Sequence, residues 1–362
     1  MLRRDLELLL ARGDRRFALL ERCRPLIYSE ERDRLLAGLR RGEAREPCFS
    51  YAPSAAVQKL CVGLGAVAAG AEQGGAWGVL YAQRAYELHL EAAIAAAVGT
   101  PQVRKHALRR FGASRGVEVD AARELAERWA RLPALEEATL QRYSSADAEQ
   151  PLSLLCAMRR AVGEARIGFR VLTNPDLTSV AATGEGVIVV RAGIQLTERA
   201  AKRVAMHEVH GHALPRHHAR SEEIGLFRVG SAGGPDEEEG RALLIEDRLD
   251  LMDAERKRQL GLRHLAARSV HAGATWVETT RVLQSVGSRL CECVDIASRA
   301  HRGGGLGREV VYLESYLRLR SAFAVDPSAE GPLKRGRVSV RCGKLLATLG
   351  RPPEVLPTVR AA

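Results

Sequence analysis

Met206-His207-Glu208-Val209-His210-Gly211-His212 is the stretch on which the reading of the whole chain turns. Five of the ten histidines fall between His207 and His218. Imidazole is the commonest side-chain ligand for zinc, and a glutamate beside the first ligand is the general base of zinc peptidases. Their usual signature sets two histidines at i and i+4, about 40° apart around a helix. Here Gly211 takes i+4, and His207 and His212 stand at i and i+5, about 140° apart on a regular helix. They can share one metal only if the helix widens into a π turn. Such turns cluster at functional sites, and Gly211 offers the backbone freedom for one. His207 and His210, at i and i+3, are the competing pair. A histidine-rich surface helix that binds nothing is the plain alternative.

Working outward, an acidic element follows: Asp236-Glu237-Glu238-Glu239-Gly240-Arg241-Ala242, then Glu246. A helix starting near Asp236 would project one glutamate towards the histidines. Two histidines and one carboxylate leave a fourth zinc position open. Glu239 is the choice; Glu238 and Glu246 stay open on physical grounds. Glu237 reads as part of a solvated helix start. Upstream, Ile167–Leu172 alternates as a strand and Val187–Arg191 is a β-branched run after a turn at Thr183–Gly186, a hairpin signal. Thr197 caps a helix from Glu198 to about Leu214, with Pro215 directly after it. Strand, strand, motif helix, loop, acidic helix is the order that zinc peptidases use. In them an edge strand pairs with extended substrate, and 187–191 is the candidate edge. A purely structural hairpin is the alternative.

The flanks read as helical. Residues 1–165 form a helical N-terminal region, with helices at 54–71, 77–98 and 119–143 and a break at Gly13. Residues 166–350 form the catalytic core and 351–362 a tail. From Glu238 to about Arg299 the chain is helical with an interruption near Gly261. Arg302-Gly303-Gly304-Gly305 then reads as a flexible loop, and 336–344 as a short strand. The fold class is α+β, mainly α, with a small sheet.

The 362 residues suffice for a large core or two domains. Net charge is +11, spread along the chain, which suits acidic polypeptides or polyanions but matches no nucleic-acid-binding pattern. The seven cysteines form no CxxC pair and read as reduced thiols of a cytoplasmic protein. Neither a signal peptide nor a membrane span is expected.

These motifs resemble the flavohemoglobin-expression-modulating QEGLA-motif proteins, whose eukaryotic relatives include tubulin-tyrosine carboxypeptidases with a His-Glu-x-x-x-His motif. The resemblance spans most of the chain. It takes in Gly99-Thr100-Pro101, Asn174-Pro175-Asp176-Leu177, His207–His212, Glu238-Glu239-Gly240-Arg241-Ala242 in the place of QEGLA, and Gly307–Leu313. It implies a gluzincin-like zinc-peptidase core. It also implies one Zn2+ per chain on His207, His212 and Glu239, and Glu208 as catalytic base. Glu238 for Gln, Arg241 for Leu, and the basic insert Pro215–Arg220 depart from the pattern, and the insert is expected at the cleft rim.

The expected activity is removal of the C-terminal residue, with Tyr and Phe as candidates, from a peptide or protein. Tyr312 or His301 would stabilise the oxyanion. Arg302, with Arg308 second, would hold the terminal carboxylate through a bidentate fork. An endo- or aminopeptidase, a non-catalytic zinc-containing regulator and a polyanion binder are the competing readings. An intact Glu208 argues against the regulator, because a structural site needs no general base.

Overall fold

A computed structural model describes residues 2–53, 58–70, 74–112, 117–134 and 140–356. Residues 54–57 and 135–139 of two expected helices, and the tail beyond Leu356, lie outside these. The elements run α1 (Arg3–Phe17), α2 (Leu19–Arg22), α3 (Tyr28–Arg40), α4 (Gln58–Gly70), α5 (Gly75–Ala97), α6 (Gln102–Phe111) and α7 (Val117–Ala130). Then come β1 (Tyr143–Ser144), α8 (Leu154–Glu164), β2 (Arg170–Asn174), β3 (Ala181–Thr183), β4 (Val187–Arg191), β5 (Gln195–Leu196) and α9 (Glu198–Met206). A π-helix (His207–Ala213) continues α9 and leads into α10 (Leu214–His218), α11 (Leu226–Val229) and α12 (Gly234–Arg248). The remainder is helical: α13 (Ala254–Ala272), α14 (Trp276–Ser285), α15 (Leu290–Gly305), α16 (Val310–Val325), α17 (Glu330–Arg335) and α18 (Val340–Thr348).

The chain divides into two compact units, each discontinuous in sequence. The first comprises Met1–Pro133, Glu255–Glu314 and Pro352–Ala362; the second comprises Ala134–Ala254 and Ser315–Arg351. The division therefore does not follow residue 165, since α8 packs with the motif helix and the sheet.

In the first unit, Cys23, Ile94, Val103, Phe111, Ala267 and Leu306 are buried together. Tyr81 is buried as well and donates its hydroxyl to Glu7 at 2.6 Å, so its polar end is met. Helix α13 runs unbroken through Gly261. A side chain there would strike the α7 backbone at Ala126 O, 2.6 Å away, so this glycine serves helix-to-helix approach rather than a break. The break falls after Arg248 instead, where Asp250 has a positive φ. Helix α1 likewise continues through Gly13, and α7 stops at Ala130 ahead of Pro133.

In the second unit, Leu154 and Met158 of α8, Phe169, Ile188 and Val190 around the sheet, and Ala201, Ala205, Val209 and Ala213 of the motif helix form one core. The sheet order is β2-β4-β3, with β2 parallel and β3 antiparallel to β4. Two expectations change here. The turn at 184–186 joins β3 to β4, a strand too short to show in the hydrophobic pattern. And 187–191 is the central strand, not the edge: Ile188 and Val190 are fully buried and both sides are paired, so β3 is the edge that follows in space. The 336–344 stretch is the start of α18, whose N-terminus Ser339 caps by accepting from Cys342 N–H.

Candidate metal centre

Thr197 accepts from Ala200 N–H and starts the motif helix. At His207 the helix widens, and Leu214 N–H bonds Val209 O, an i to i+5 link. That rotation lets two histidines five apart face one way, and their ring centroids are 5.1 Å apart. Gly211 has a second, larger task. A Cβ there would stand 2.5 Å from the Cβ of Ala242 on α12. The glycine thus lets α12 close onto the π turn, one turn from Glu239. On the other side of α12, Gly240 is pressed against the Ser315 backbone at 2.5 Å in the same sense.

The outcome is a cluster of His207, His212 and Glu239 whose ligand atoms lie within 4.8 Å of one another. His207 Nε2 is 3.6 Å and His212 Nε2 is 3.8 Å from Glu239 Oε2. Two ligands of a tetrahedral zinc stand about 3.3 Å apart, so each histidine-to-Glu239 separation is within a few tenths of an ångström of what the ion requires, and the donor types suit it. His207 Nδ1 is 2.7 Å from Glu246 Oε1, a buried carboxylate one face-repeat beyond Glu239. This orients the ring with Nε2 towards the cluster. Glu246→Gln is expected to weaken zinc binding about 10–100-fold with the fold intact; an unchanged affinity in chelator competition would count against that role.

Burial works against a charged His207, but its bonds to Glu239 and Glu246 prevail and push the ring up to about 10 in the metal-free site. Below that pH a proton must leave before Nε2 can take a cation. Apparent zinc affinity is therefore expected to rise with pH, by about tenfold per unit for each proton released, and to level off above about pH 10. Chelator competition between pH 6 and 8 checks this, and a flat profile contradicts it.

Glu208 is half-buried and outside the ligand cluster. Its Oε2 accepts from Thr183 Oγ1 at 2.7 Å, which ties it to the edge strand β3. His210 is half-buried and lies on the opposite face, and burial lowers its basicity.

The two departures within the acidic motif find partners. Burial would raise the Glu238 carboxyl, but Arg216, Arg337 and His212 outweigh this and hold it well below the usual carboxylate range. Arg216 Nε lies 3.2 Å and Arg337 Nε 3.3 Å from it. Part of the basic insert thus points inward to a buried carboxylate. Arg241 is buried and donates to Leu333 O at 2.9 Å and to Gly211 O. An α-helix would satisfy Gly211 O from the residue four ahead, which is Pro215 and has no N–H. The Arg241 guanidinium supplies the missing donor, and the helix continues to His218 instead of ending at Pro215.

Arg302, Arg308 and Tyr312 belong to the first unit. Arg302 is buried, and both it and Arg299 meet Glu309 Oε1 at 2.9 Å. The glycine run after it is packed rather than free: a Cβ on Gly303 would stand 2.6 Å from Cys23 Sγ, and one on Gly304 2.8 Å from Thr100 O. These glycines, at positive φ, permit close approach, and the expected open loop is a buried turn. Arg308 is half-buried, with its guanidinium over the Tyr312 ring at 5.8 Å. His301 Nε2 pairs with Thr279 Oγ1 at 2.8 Å, and burial lowers its pKa to about 4.

The protein is thus a mostly helical α+β chain in which two histidines and a carboxylate converge and a second carboxylate is held beside them. The profile of the microtubule-associated tyrosine carboxypeptidase family matches residues 39–349, and the chain belongs to that family. No curated protein matches it. A solved structure described as a lipoprotein from Colwellia psychrerythraea is similar over 94% of this chain and 74% of that chain, at 10% identity and a TM-score of 0.48. Among the described residues no helix is long and apolar enough to cross a membrane.

Proposed function

We propose that the protein is a zinc-dependent carboxypeptidase acting on the C-terminal residue of a peptide or protein. The observation that carries this is the converging His207, His212 and Glu239 with Glu208 beside them. Family membership supports a carboxypeptidase in general. Zinc, when bound, supplies the Lewis acidity that acidifies water and polarises the scissile carbonyl. Glu208, held by Thr183, takes a proton from the attacking water and returns it to the leaving amine. An extended substrate would add along edge strand β3 next to Glu208, where Arg216 Nη1 already donates to Thr183 O at 2.7 Å.

Tyr312 is the proposed oxyanion donor. Of the two arginines read from the sequence, Arg308 is the better carboxylate binder by exposure, because Arg302 is engaged with Glu309. Arg302→Lys is expected to cost about 1–3 kcal/mol of stability by leaving a buried acceptor poorly met. Its kinetic loss should be equal for free-acid and C-amidated peptides, whereas Arg308→Lys should lower kcat/KM for free-acid peptides alone. The reverse pattern would return the clamp to Arg302.

The decisive experiment is mass spectrometry of a peptide library incubated with the zinc-loaded protein. Loss of single C-terminal residues that C-amidation blocks supports the reading. Internal or N-terminal cuts would replace it with an endo- or aminopeptidase.

A further inference from the structure

Behind the metal helix, within the second unit, lies a cavity of about 400 Å³. Its size falls in the range of small-molecule sites, about 300–1,000 Å³. The floor is the face of the motif helix that the metal ligands leave free: Met206, His210, Leu214 and Pro215. Ile245 and Leu249 of α12 complete the apolar part. The polar part is cationic. Arg241, Arg248 and Lys334 line the cavity against a single carboxylate, Glu330. Arg248 Nη1 and Lys334 Nζ both lean on that carboxylate, at 2.7 and 3.4 Å. Arg241 is 4% exposed and donates to backbone carbonyls; the carboxylates that act on it, Glu238 and Glu330, are already shared with Arg216 and Arg337 and with Arg248 and Lys334, so positive charge stays in excess. An apolar trough closed at one side by excess positive charge complements one kind of molecule. Apolar atoms leave water along the trough, and an anionic head meets the arginines and lysine.

We propose that this cavity is a binding site for a free, medium-chain monocarboxylate. It is separate from the metal cluster, since His210 faces it while His207 and His212 face the other way. The basic insert contributes Pro215 and His218, whose Nδ1 lies 2.9 Å from Lys334 O, so the insert helps to build this site as well as pairing with Glu238.

Calorimetric titration of the full chain with octanoate, octanol and inorganic phosphate tests the proposal, in both zinc-loaded and chelator-treated protein. Octanoate should bind saturably at one site in both forms. Octanol should bind more weakly and phosphate not at all. Leu249→Trp, on a rim residue that is 48% exposed, should block the trough without disturbing the core. Lys334→Glu should weaken octanoate about tenfold and leave octanol unchanged. Thermal melts of both variants separate lost binding from lost folding. Octanoate binding that disappears on chelation would place the ligand on the metal and overturn the proposal. So would binding that Leu249→Trp leaves intact, or octanol binding as tightly as octanoate. Saturation by a peptide with an apolar C-terminal residue, with octanoate ignored, would overturn it in favour of a peptide subsite.

Discussion

Glu208→Gln is expected to retain zinc and fold while losing about 10²–10⁴-fold in turnover, the usual cost of removing a general base. The substitution keeps the shape of the side chain and an acceptor for the Thr183 hydroxyl, which donates to Glu208 at 2.7 Å. It removes only the ability to take a proton. Because Glu208 lies outside the ligand cluster, metal content should not change. Elemental analysis and turnover on one cleaved peptide, measured on the same preparations, separate the two properties. Equal turnover for variant and wild type would remove Glu208 from the mechanism.

The second large effect concerns metal content. His207→Ala, His212→Ala and Glu239→Ala should each reduce bound zinc from about one per chain to traces, since each removes one of the three protein donors that an open zinc site requires. His210→Ala should keep its zinc. The reason is geometric: the π turn points His207 and His212 at Glu239, 3.6 and 3.8 Å away, and leaves His210 on the cavity side of the helix. Loss of zinc from His210→Ala with retention in His212→Ala would reverse the ligand assignment.

The neighbours of the ligands decide how such variants are read. Arg241 holds the carbonyl that Pro215 leaves without a donor, and Glu246 holds the His207 ring. Changes at either position act on the ligands at one remove. They shift affinity by degrees, whereas a missing ligand removes the site.

Much of this was legible in the sequence because it depends on local chemistry. Histidine spacing, the Thr197 cap and the acidic run each need only a few neighbouring residues to be understood. The i, i+5 pair could share a metal only through a widened helix, while the i, i+3 pair needed none; a π-helix spans His207–Ala213. Gly211 was legible as a special position, but its main task was not, because contact with Ala242 joins residues thirty-one apart. The same limit applied to Glu238, Glu239 and Glu246 of α12. Composition cannot say which carboxylate faces the histidines. The rotation of α12 against the π turn sends Glu239 and Glu246 to His207, and Glu238 to Arg216, Arg337 and the Nδ1 side of His212, whose Nε2 faces Glu239. Strand order followed a similar rule: β4 is central because β2 and β3 both pair with it, a choice made by tertiary packing that a β-branched run alone does not encode. Residue types and spacing alone pointed to a mostly helical chain and to the histidines and glutamates that come together here. Which of those residues meet is a matter of packing, because it depends on how closely two helices approach and which faces they turn to one another.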